Sequence, residues 1–505
     1  MSFYINLLQR LPSIQKPLQV QNFKSKLKWT GAILILYFLM GQISVWGIVK
    51  TSFERFRIFE ILLGSSFGSL MTLGIGPIVT ASIILQLLVG SKVIPWDLRT
   101  EEGRILFNGT QKLLAFLFCF VEASAFVIMG AIPAEMGLEW AVILQLAMGG
   151  ILVVFMDELI SKWGFGSGVS LFIVAGVSKS IIVRALNPLT TSGMLPGAEP
   201  PAGLLPFAIT ALAAGEPMQA GLALMPIIAT IIVFLIVVYA NAIKVEIPIA
   251  FSSISGFGRR WPLKFFYTSN LPVILVAALL ANIHFMARVL ADRGIGILGG
   301  FDAEGNAVSG IIYYLSVPHS QALSGFMIFI SMFALMGAVI NYKMKRSSIW
   351  LVLGLGAMGG FVWWAITSMA GLTSLAFIPL ADIARLLTYM LFMMIGCIIF
   401  SVFWVATSGM DPASVARQIE SIGMQIPGYR RDARIIESVL KRYIPTLTIV
   451  GGAAVGFLAA FADMTGALGT GTGILLSSMI IYNLYEELAA KHLEDMHPAL
   501  RKFME

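Results

Sequence analysis

The sequence predicts an all-α polytopic membrane protein with about twelve transmembrane helices. The 505 residues are 58% hydrophobic and only 12% charged, and their mean hydropathy is +0.87. A soluble domain carries about 25% charge, and its surface could not accommodate so much apolar area in water. The apolar residues also fall into separate runs, several close to the roughly 20 residues that one span requires. These values exclude a soluble enzyme, a disordered chain and a small disulfide-rich secreted domain.

Twelve apolar segments can be placed along the chain, and we interpret each of them as one span. They lie near residues 29–49, 76–90, 112–132, 139–159, 168–186, 223–242, 271–290, 324–342, 348–371, 379–407, 444–462 and 472–487.

The basic residues alternate between the segments that connect these spans. With a cytoplasmic N-terminus, 26 of the 34 Lys and Arg residues fall on the cytoplasmic side, where membrane proteins concentrate them. No Lys or Arg occurs in 185–243 or 294–342. We therefore expect a multi-pass protein of the cell (plasma) membrane with both termini in the cytoplasm. The eight basic residues outside the cytoplasmic segments are Lys50, Arg55, Arg57, Lys179, Arg184, Arg288, Arg293 and Arg385.

The N-terminal residues 1–28 contain no apolar core of the length that a cleavable signal peptide has. Residues 3–11 predict a short amphipathic helix on the membrane face, and a frayed terminus is the alternative. Residues 61–70 are apolar but too short to cross, and Gly74, Gly76 and Pro77 interrupt the chain before the next helix. Broken helices of this kind often mark a transport path, although a kinked span without function is an alternative.

Four connections are long. Residues 187–222 and 291–323 are predicted to be external, and the first is rich in Pro, Gly and Ala and reads as a loop. Residues 243–269 and 408–443 are predicted to be cytoplasmic, and each has a basic pair near a turn, Arg259-Arg260 and Arg430-Arg431. Such pairs suit a phosphate backbone or an acidic partner. Ordinary cytoplasmic enrichment of basic residues is the alternative.

Motifs for catalysis, metal binding or cofactor binding are not found. The chain has no Walker A loop and no HExxH motif, and its four histidines are scattered. The glycine-rich stretches 164–168 and 469–473 begin membrane helices, so they predict closely packed helix starts rather than nucleotide loops. We therefore predict no catalytic residues, no metal ligands and no cofactor.

Ionisable residues inside the predicted spans are few, and such residues are candidates for function. Glu122 lies in the middle of a span, and Asp157 and Glu158 lie at a cytoplasmic helix end near water. Asp382 and Arg385 are one helical turn apart and can pair. A single mid-span glutamate is weak support for an ion-coupled transporter, which also uses inverted repeats and broken helices.

Eight motifs occur in the order in which the SecY family, the central subunit of the protein-translocation channel, has them. The sequence resembles the archaeal branch of that family from about residue 24 to the C-terminus. The motifs are 73–81 (LGIGPIVTA), 163–168 (WGFGSG), 245–248 (VEIP), 269–275 (SNLPVIL), 313–315 (YYL), 409–412 (GMDP), 441–445 (KRYIP) and 466–473 (GALGTGTG).

The resemblance implies a core of ten helices in two halves of inverted topology around a pore, with a plug at 57–70. Residues 324–371 then form one extra helix pair, whose function the sequence does not indicate. The pair could lie beside the lipid exit, bind an accessory subunit, or be a peripheral addition. The implied divisions are a cytoplasmic amphipathic segment (1–28), an N-terminal half (29–186), an external loop (187–222), a C-terminal half (223–488) and a cytoplasmic tail (489–505).

The resemblance also implies the functional residues, position by position. A ring of aliphatic side chains is expected at the pore, and a polar cluster at a lateral gate between the second and third helices and the seventh and eighth. The implied ring is Ile75, Val79, Val169, Ile173, Ile274 and Leu476. The implied gate cluster is Thr80, Glu122 and Asn282, and the implied plug residues are Ile61, Leu62, Gly64, Ser65, Ser66, Phe67 and Gly68. The implied ribosome-docking residues are Arg259, Arg260, Arg430, Arg431 and Arg434.

The function implied is a passive channel that translocates unfolded polypeptides and releases transmembrane segments sideways into lipid. The implied partners are SecE-like and Sec-beta-like small membrane subunits, the translating ribosome, signal sequences and nascent chains, and the lipid bilayer. A secondary transporter and a structural scaffold are the alternatives.

Overall fold

The fold is that of a computed structural model. The structure describes residues 4, 8, 10–19, 21–49, 66, 68–98, 100–130, 132–190, 200–251, 258–268, 270–292, 294–302, 306–318, 320–344, 348–421, 424–425 and 433–496. Within these ranges, only the backbone is described for residues 247–251, 258–261, 292, 424–425, 433 and 490–496.

Each of the twelve apolar segments corresponds to a helix. The N-terminal half contains α1 (Phe23–Met40), α2 (Gly76–Gly90), α3 (Glu101–Ile128), α4 (Glu139–Trp163) and α5 (Gly168–Leu186). Local sequence explains several of the helix starts. Thr100 caps α3 by accepting a hydrogen bond from the Gly103 amide, and Glu101 and Glu102 occupy the first turn, where the helix dipole favours acids. Pro77 lies in the first turn of α2, where it needs no amide hydrogen.

The rest of the chain contains seven long helices and four short ones. Within the described residues of the whole chain, nine helical segments are long and apolar enough to cross a membrane, and α1, α2 and α16 complete the twelve. The long helices are α7 (Pro217–Asn241), α8 (Leu271–Asp292), α10 (Gln321–Lys343), α11 (Ile349–Met369), α13 (Leu380–Thr407), α15 (Ala433–Met464) and α16 (Gly471–Met496). The short ones are α6 (Leu204–Ala213), α9 (Gly310–Tyr314), α12 (Thr373–Ala376) and α14 (Pro412–Ser421).

Helix α6 lies within the external segment that the sequence predicts to be a loop. Its residues, LLPFAITALA, are mostly strong helix formers. Small alanines bury one face of α6 against α7, namely Ala208 and Ala211 against Ala220 and Ala223. The abundance of Pro and Gly before residue 204 therefore does not extend into this part of the segment.

The two long connections that are predicted to be cytoplasmic meet in a small antiparallel sheet. Strands β1 (Lys244–Phe251) and β2 (Gly258–Lys264) form a hairpin in which Ile249 pairs with Arg259. Strand β3 (Met424–Gln425) adds to the other edge of β1, with Phe251 opposite Met424. A hydrophobic cluster that includes Leu263, Ile419 and Ile436 packs beneath this region.

The described part of the N-terminal segment is held against the ends of α3 and α4. Leu8 is buried and lies against Gly109. Lys112 on α3 donates a hydrogen bond to the Pro12 carbonyl, and the Trp163 indole on α4 donates to the Gln15 carbonyl at 2.9 Å. These contacts attach residues 8–15 to α3 and α4, and most of the predicted amphipathic helix over residues 3–11 lies outside the described residues.

The helices α10 and α11 form the extra pair, and glycines allow them to pack closely. The backbone of Gly359 lies against the carbonyl of Phe329, and that of Gly325 against the ring of Trp363. Helix α10 contacts α7, α12 and α15, and Ser324 donates a hydrogen bond to the Met464 carbonyl at 3.1 Å. The pair is thus attached beside α7 and α15, and much of its remaining surface is exposed and apolar.

Candidate functional site

The six aliphatic residues of the expected ring lie on four helices. Five of them are buried, and Val169 is half-buried against the same central hydrophobic cluster. Ile75 and Val79 are at the start of α2, Val169 and Ile173 at the start of α5, Ile274 near the start of α8, and Leu476 one turn into α16.

These four helices pack in sequence around the centre of the molecule. Helix α2 contacts α8, α8 contacts α16, and α16 contacts α5. Two of the helices come from each half of the chain, so the aliphatic residues meet where the halves meet. Aliphatic side chains offer no ligand to an ion that has lost its water, and a narrow constriction of this kind opposes ion passage.

The three residues of the expected polar cluster are brought together, although they are far apart in sequence. The Thr80 hydroxyl on α2 donates a hydrogen bond to Glu122 Oε1 on α3 at 2.9 Å. Asn282 Nδ2 on α8 lies 3.4 Å from Thr80 Oγ1, a long hydrogen bond. The cluster therefore links two helices of the N-terminal half to one of the C-terminal half.

Apolar contacts accompany this polar cluster along the same interface. The rings of Phe126 on α3 and Phe285 on α8 have centroids 4.6 Å apart and are tilted by 55°. Further along, the backbone of Gly90 on α2 approaches the ring of Phe403 on α13. The helices expected to form the lateral gate are thus in contact at several points.

Only the C-terminal end of the expected plug can be described. Ile61, Leu62, Gly64, Ser65 and Phe67 lie outside the described residues. Ser66 Oγ donates to the Gly41 carbonyl at 3.3 Å, and the Gly68 carbonyl accepts from the Val45 amide at 3.0 Å. Gly68 has a φ of +80°, which other residues rarely adopt. The chain leaving this segment is therefore fixed to the end of α1.

The basic residues of the expected docking loops are described in part. Arg259 and Arg260 lie on β2, Arg434 is exposed at the start of α15, and Arg430 and Arg431 lie outside the described residues. The two loops contact each other through β1 and β3.

A buried hydroxyl makes a second connection between the two loops. The Tyr267 hydroxyl donates to the Met410 carbonyl at 2.8 Å. Burial, and then the charge of Asp411, raises the pKa of Tyr267 to about 12, so the phenol remains a hydrogen-bond donor at neutral pH.

Two groups of polar residues were not assigned a role from the sequence. In the first, Arg385 donates to the Tyr313 carbonyl at 3.0 Å and stacks on the Tyr313 ring, and its predicted pairing with Asp382 is confirmed at 3.7 Å. His284 on α8 lies 3.5 Å from the Leu315 carbonyl. These contacts attach the end of α9 to both α8 and α13.

In the second group, two carboxylates contact the amides of a following helix. Asp157 accepts from the Val169 amide at 2.9 Å, and Asp463 accepts from the Thr472 amide at 2.7 Å. Asp463 directly follows the predicted span 444–462 and precedes a glycine-rich stretch, a signal that could have marked it as a candidate. Among the residues that the structure describes, His, Cys, Asp and Glu form no group of three or more that could hold a metal ion.

Together these features define a polytopic membrane protein with two packed halves, buried aliphatic residues from both halves in one central cluster, and a polar cluster across the interface. The profile of the SecY family matches residues 69–485. The protein translocase subunit SecY of Methanothermobacter thermautotrophicus is 42% identical over 503 residues, which cover 99% of this chain and 97% of that protein. The chain belongs to the SecY family.

Solved structures agree with this assignment. A protein conducting channel is 41% identical, with a TM-score of 0.77 and 98% of both chains covered. A SecY structure is also 41% identical, with a TM-score of 0.76 and 98% of both chains covered. In that protein the plug domain stabilises the closed state of the translocation channel and maintains a membrane seal. Sec61 in the canine ribosome-channel complex from the endoplasmic reticulum is 41% identical, with a TM-score of 0.74 and 98% of both chains covered. The secondary transporter is therefore not favoured.

Proposed function

We propose that this chain is the pore-forming subunit of a protein-conducting channel. It lets unfolded polypeptides cross the membrane and releases apolar segments sideways into lipid. It is a channel subunit and not an enzyme, so the driving force comes from outside the chain, from the translating ribosome. Family membership and the similarity to solved channels support this function.

The aliphatic cluster at the junction of the two halves is the observation that carries the proposal. Ile75 is 1% exposed and Ile274 is 5% exposed, and they belong to different halves of the chain. We assign these two residues, with Val79, Val169, Ile173 and Leu476, to the pore ring. Such a ring resists ions because it cannot replace their hydration, and it accepts an extended chain without sequence preference.

Polar substitution of the ring tests this assignment. The complex with Ile75→Ser, Val79→Ser and Ile274→Ser, reconstituted in a planar bilayer, should conduct ions at rest and should accept weaker signal sequences. The matched control is Ile231→Ser on α7, because that side chain is 54% exposed on the outer surface. Unchanged ion tightness together with loss of small-solute uptake would instead favour a transporter.

Crosslinking separates the channel from a structural scaffold. A photoreactive residue in place of Val169 or Leu476 should crosslink to a secreted nascent chain that is trapped during translocation. Absence of crosslinks from both positions, in a preparation that still secretes, would contradict the ring assignment.

The gate, the plug and the orientation belong to the same proposal. Thr80, Glu122 and Asn282 hold the lateral gate closed through hydrogen bonds, and a signal sequence competes with them. Residues 57–70 form the plug, and the protein lies in the cell (plasma) membrane with both termini in the cytoplasm. The anchoring of Ser66 and Gly68 beside α1 supports the plug, and the distribution of basic residues supports the orientation.

Partners follow from the same resemblance. The ribosome docks on the cytoplasmic loops through Arg259, Arg260, Arg430, Arg431 and Arg434, and SecE-like and Sec-beta-like subunits bind the periphery. The canine ribosome-channel complex supports the first of these. Purification of the chain from its native membrane with two small single-span proteins would test the second.

A further inference from the structure

Glycine-rich connections lead into α5 and α16. At each connection, a carboxylate on the preceding helix contacts the start of the following helix. Asp157 is close to the end of α4, and Asp463 is close to the end of α15. The two connections have equivalent positions in the two halves. If the pair α10 and α11 is left out, each connection joins the fourth long helix of its half to the fifth. The predicted topology puts the first connection on the cytoplasmic side and the second on the external side.

Asp157 caps the start of α5. Its Oδ1 accepts a hydrogen bond from the Val169 amide at 2.9 Å. The residue at the N-cap position, Ser167, makes no side-chain hydrogen bond of this kind. The amides at a helix start need acceptors, and a negative charge there also suits the helix dipole. The preceding helix therefore supplies what the local sequence does not.

Asp463 makes the corresponding contact at the start of α16. Its Oδ1 accepts from the Thr472 amide at 2.7 Å, and in addition the Thr470 hydroxyl oxygen accepts from the Gly473 amide at 3.0 Å. Oδ2 of Asp463 accepts from the Thr472 hydroxyl and, at 2.7 Å, from the Tyr389 hydroxyl on α13. This second carboxylate thus connects three helices of the C-terminal half.

The first residue of each capped helix is a glycine because the preceding helix is too close for a side chain. A Cβ on Gly168 would lie 2.5 Å from the Cα of Asp157, and a Cβ on Gly471 would lie 1.8 Å from the carbonyl carbon of Ala462. Both distances are below 3.0 Å, and real Cβ atoms essentially never come that close to another heavy atom. The glycine-rich stretches therefore permit the close approach on which both caps depend.

We infer that Asp157 and Asp463 are positioning residues that set the pore ring from opposite sides of the membrane. Val169 directly follows Gly168, and Leu476 is about one helical turn beyond Thr472. Each carboxylate fixes where its helix begins, and so fixes the height at which these side chains enter the ring. The inference rests on the proposed pore ring.

Resting ion conductance of the reconstituted complex tests this role. Asp157→Ala and Asp463→Ala should each raise the resting conductance about fivefold, because loss of one helix cap typically shifts the equilibrium between the capped and the uncapped helix start by that factor. Two controls change neighbouring contacts without touching a cap. Glu158→Gln removes the carboxylate that pairs with Lys112 and Lys162, and Ser324→Ala removes the bond to the Met464 carbonyl. Both controls should remain as ion-tight as the wild type.

The unfolding temperature, measured on the same complexes, separates positioning from stability. The proposal requires that the alanine variants leak while their unfolding temperatures match those of the two controls. The proposal is overturned if both alanine variants have the resting conductance of the wild type. It is also overturned if the two controls conduct as much as the alanine variants. If the alanine variants do not assemble, Asp157→Leu and Asp463→Leu decide, because leucine is close to aspartate in shape but offers no acceptor to the helix amides, and they must leak more than the wild type.

The ring variant Ile75→Ser with Ile274→Ser belongs in the same series. If it leaks and the Asp157 and Asp463 variants stay tight, the ring assignment stands and the positioning role fails. If the ring variant stays tight, the ring assignment itself fails, and the caps have no ring to position.

Discussion

Asn282 on α8 and Thr80 on α2 face each other across the two halves of the chain, with Nδ2 of the amide 3.4 Å from Oγ1 of the hydroxyl. The same hydroxyl donates to Glu122 on α3 at 2.9 Å. One threonine oxygen is therefore shared by both sides of the interface. Separation of α2 from α8 removes the longer of these two contacts and leaves Thr80 bound to Glu122 within the N-terminal half.

Removal of the Thr80 hydroxyl should make the gate easier to open. Thr80→Val keeps the shape and loses both hydrogen bonds, and one such bond contributes about 1 kcal/mol, or about a fivefold change in the closed-to-open ratio. We expect secretion of a reporter whose signal sequence has a shortened apolar core. Thr446→Val on α15 is the control, because that hydroxyl bonds only within its own helix, to the Arg442 carbonyl. Rejection of the weak signal by Thr80→Val would argue against this gate.

Charge reversal on the joined loops should weaken ribosome binding. Arg259→Glu, Arg260→Glu and Arg434→Glu together should lower the affinity, and each lost phosphate contact should reduce the salt dependence by about one unit of slope. The measurement is co-sedimentation with ribosomes over a range of salt concentrations. Lys343→Glu at the end of α10 is a control for one such charge reversal elsewhere on the predicted cytoplasmic side, and it is compared with each single Arg→Glu variant. An unchanged slope would remove these arginines from the docking surface.

Loss of the Tyr267 hydroxyl should loosen the connection between the two loops that are predicted to be cytoplasmic. Tyr267→Phe removes the hydrogen bond to the Met410 carbonyl, and one such bond contributes about 1 kcal/mol. Hydrogen exchange should become faster at β1 and at the start of α14, and ribosome affinity should fall. Tyr443→Phe, at a side chain that is 40% exposed, should change neither. If exchange at β1 does not change, the loops are held together without this bond.

A cysteine in the expected plug should report its movement. The native thiols of Cys119 and Cys397 are buried, so the background labelling should be low. Ser65→Cys should be shielded from an external thiol reagent at rest and should react when a nascent chain is engaged. Ser309→Cys, at an exposed residue of the predicted external side, should react in both states. Equal reaction of Ser65→Cys in both states would contradict the plug.

Hydropathy and the positions of Lys and Arg were sufficient to place twelve helices, because each span must satisfy its own backbone within one continuous segment. The pairing of Phe251 with Met424 leaves no comparable trace, because the two residues lie in separate loops and β3 has only two residues. The alternating apolar residues of β1 indicate a strand but do not identify its partner. The ring and gate residues came from motif resemblance. Their proximity in space, such as that of Thr80 to Glu122, could not be derived from periodicity, and the caps at Val169 and Thr472 depend equally on contacts between helices.

The strand β1 has a consequence for how binding events influence one another. It follows α7, it is joined through β2 to α8, and it pairs with β3 ahead of α15. A ribosome that prefers one arrangement of this sheet would bias the helices attached to it. Such a coupling free energy acts equally in both directions. A signal sequence that opens the gate would then raise ribosome affinity by the same factor by which the ribosome favours the signal sequence.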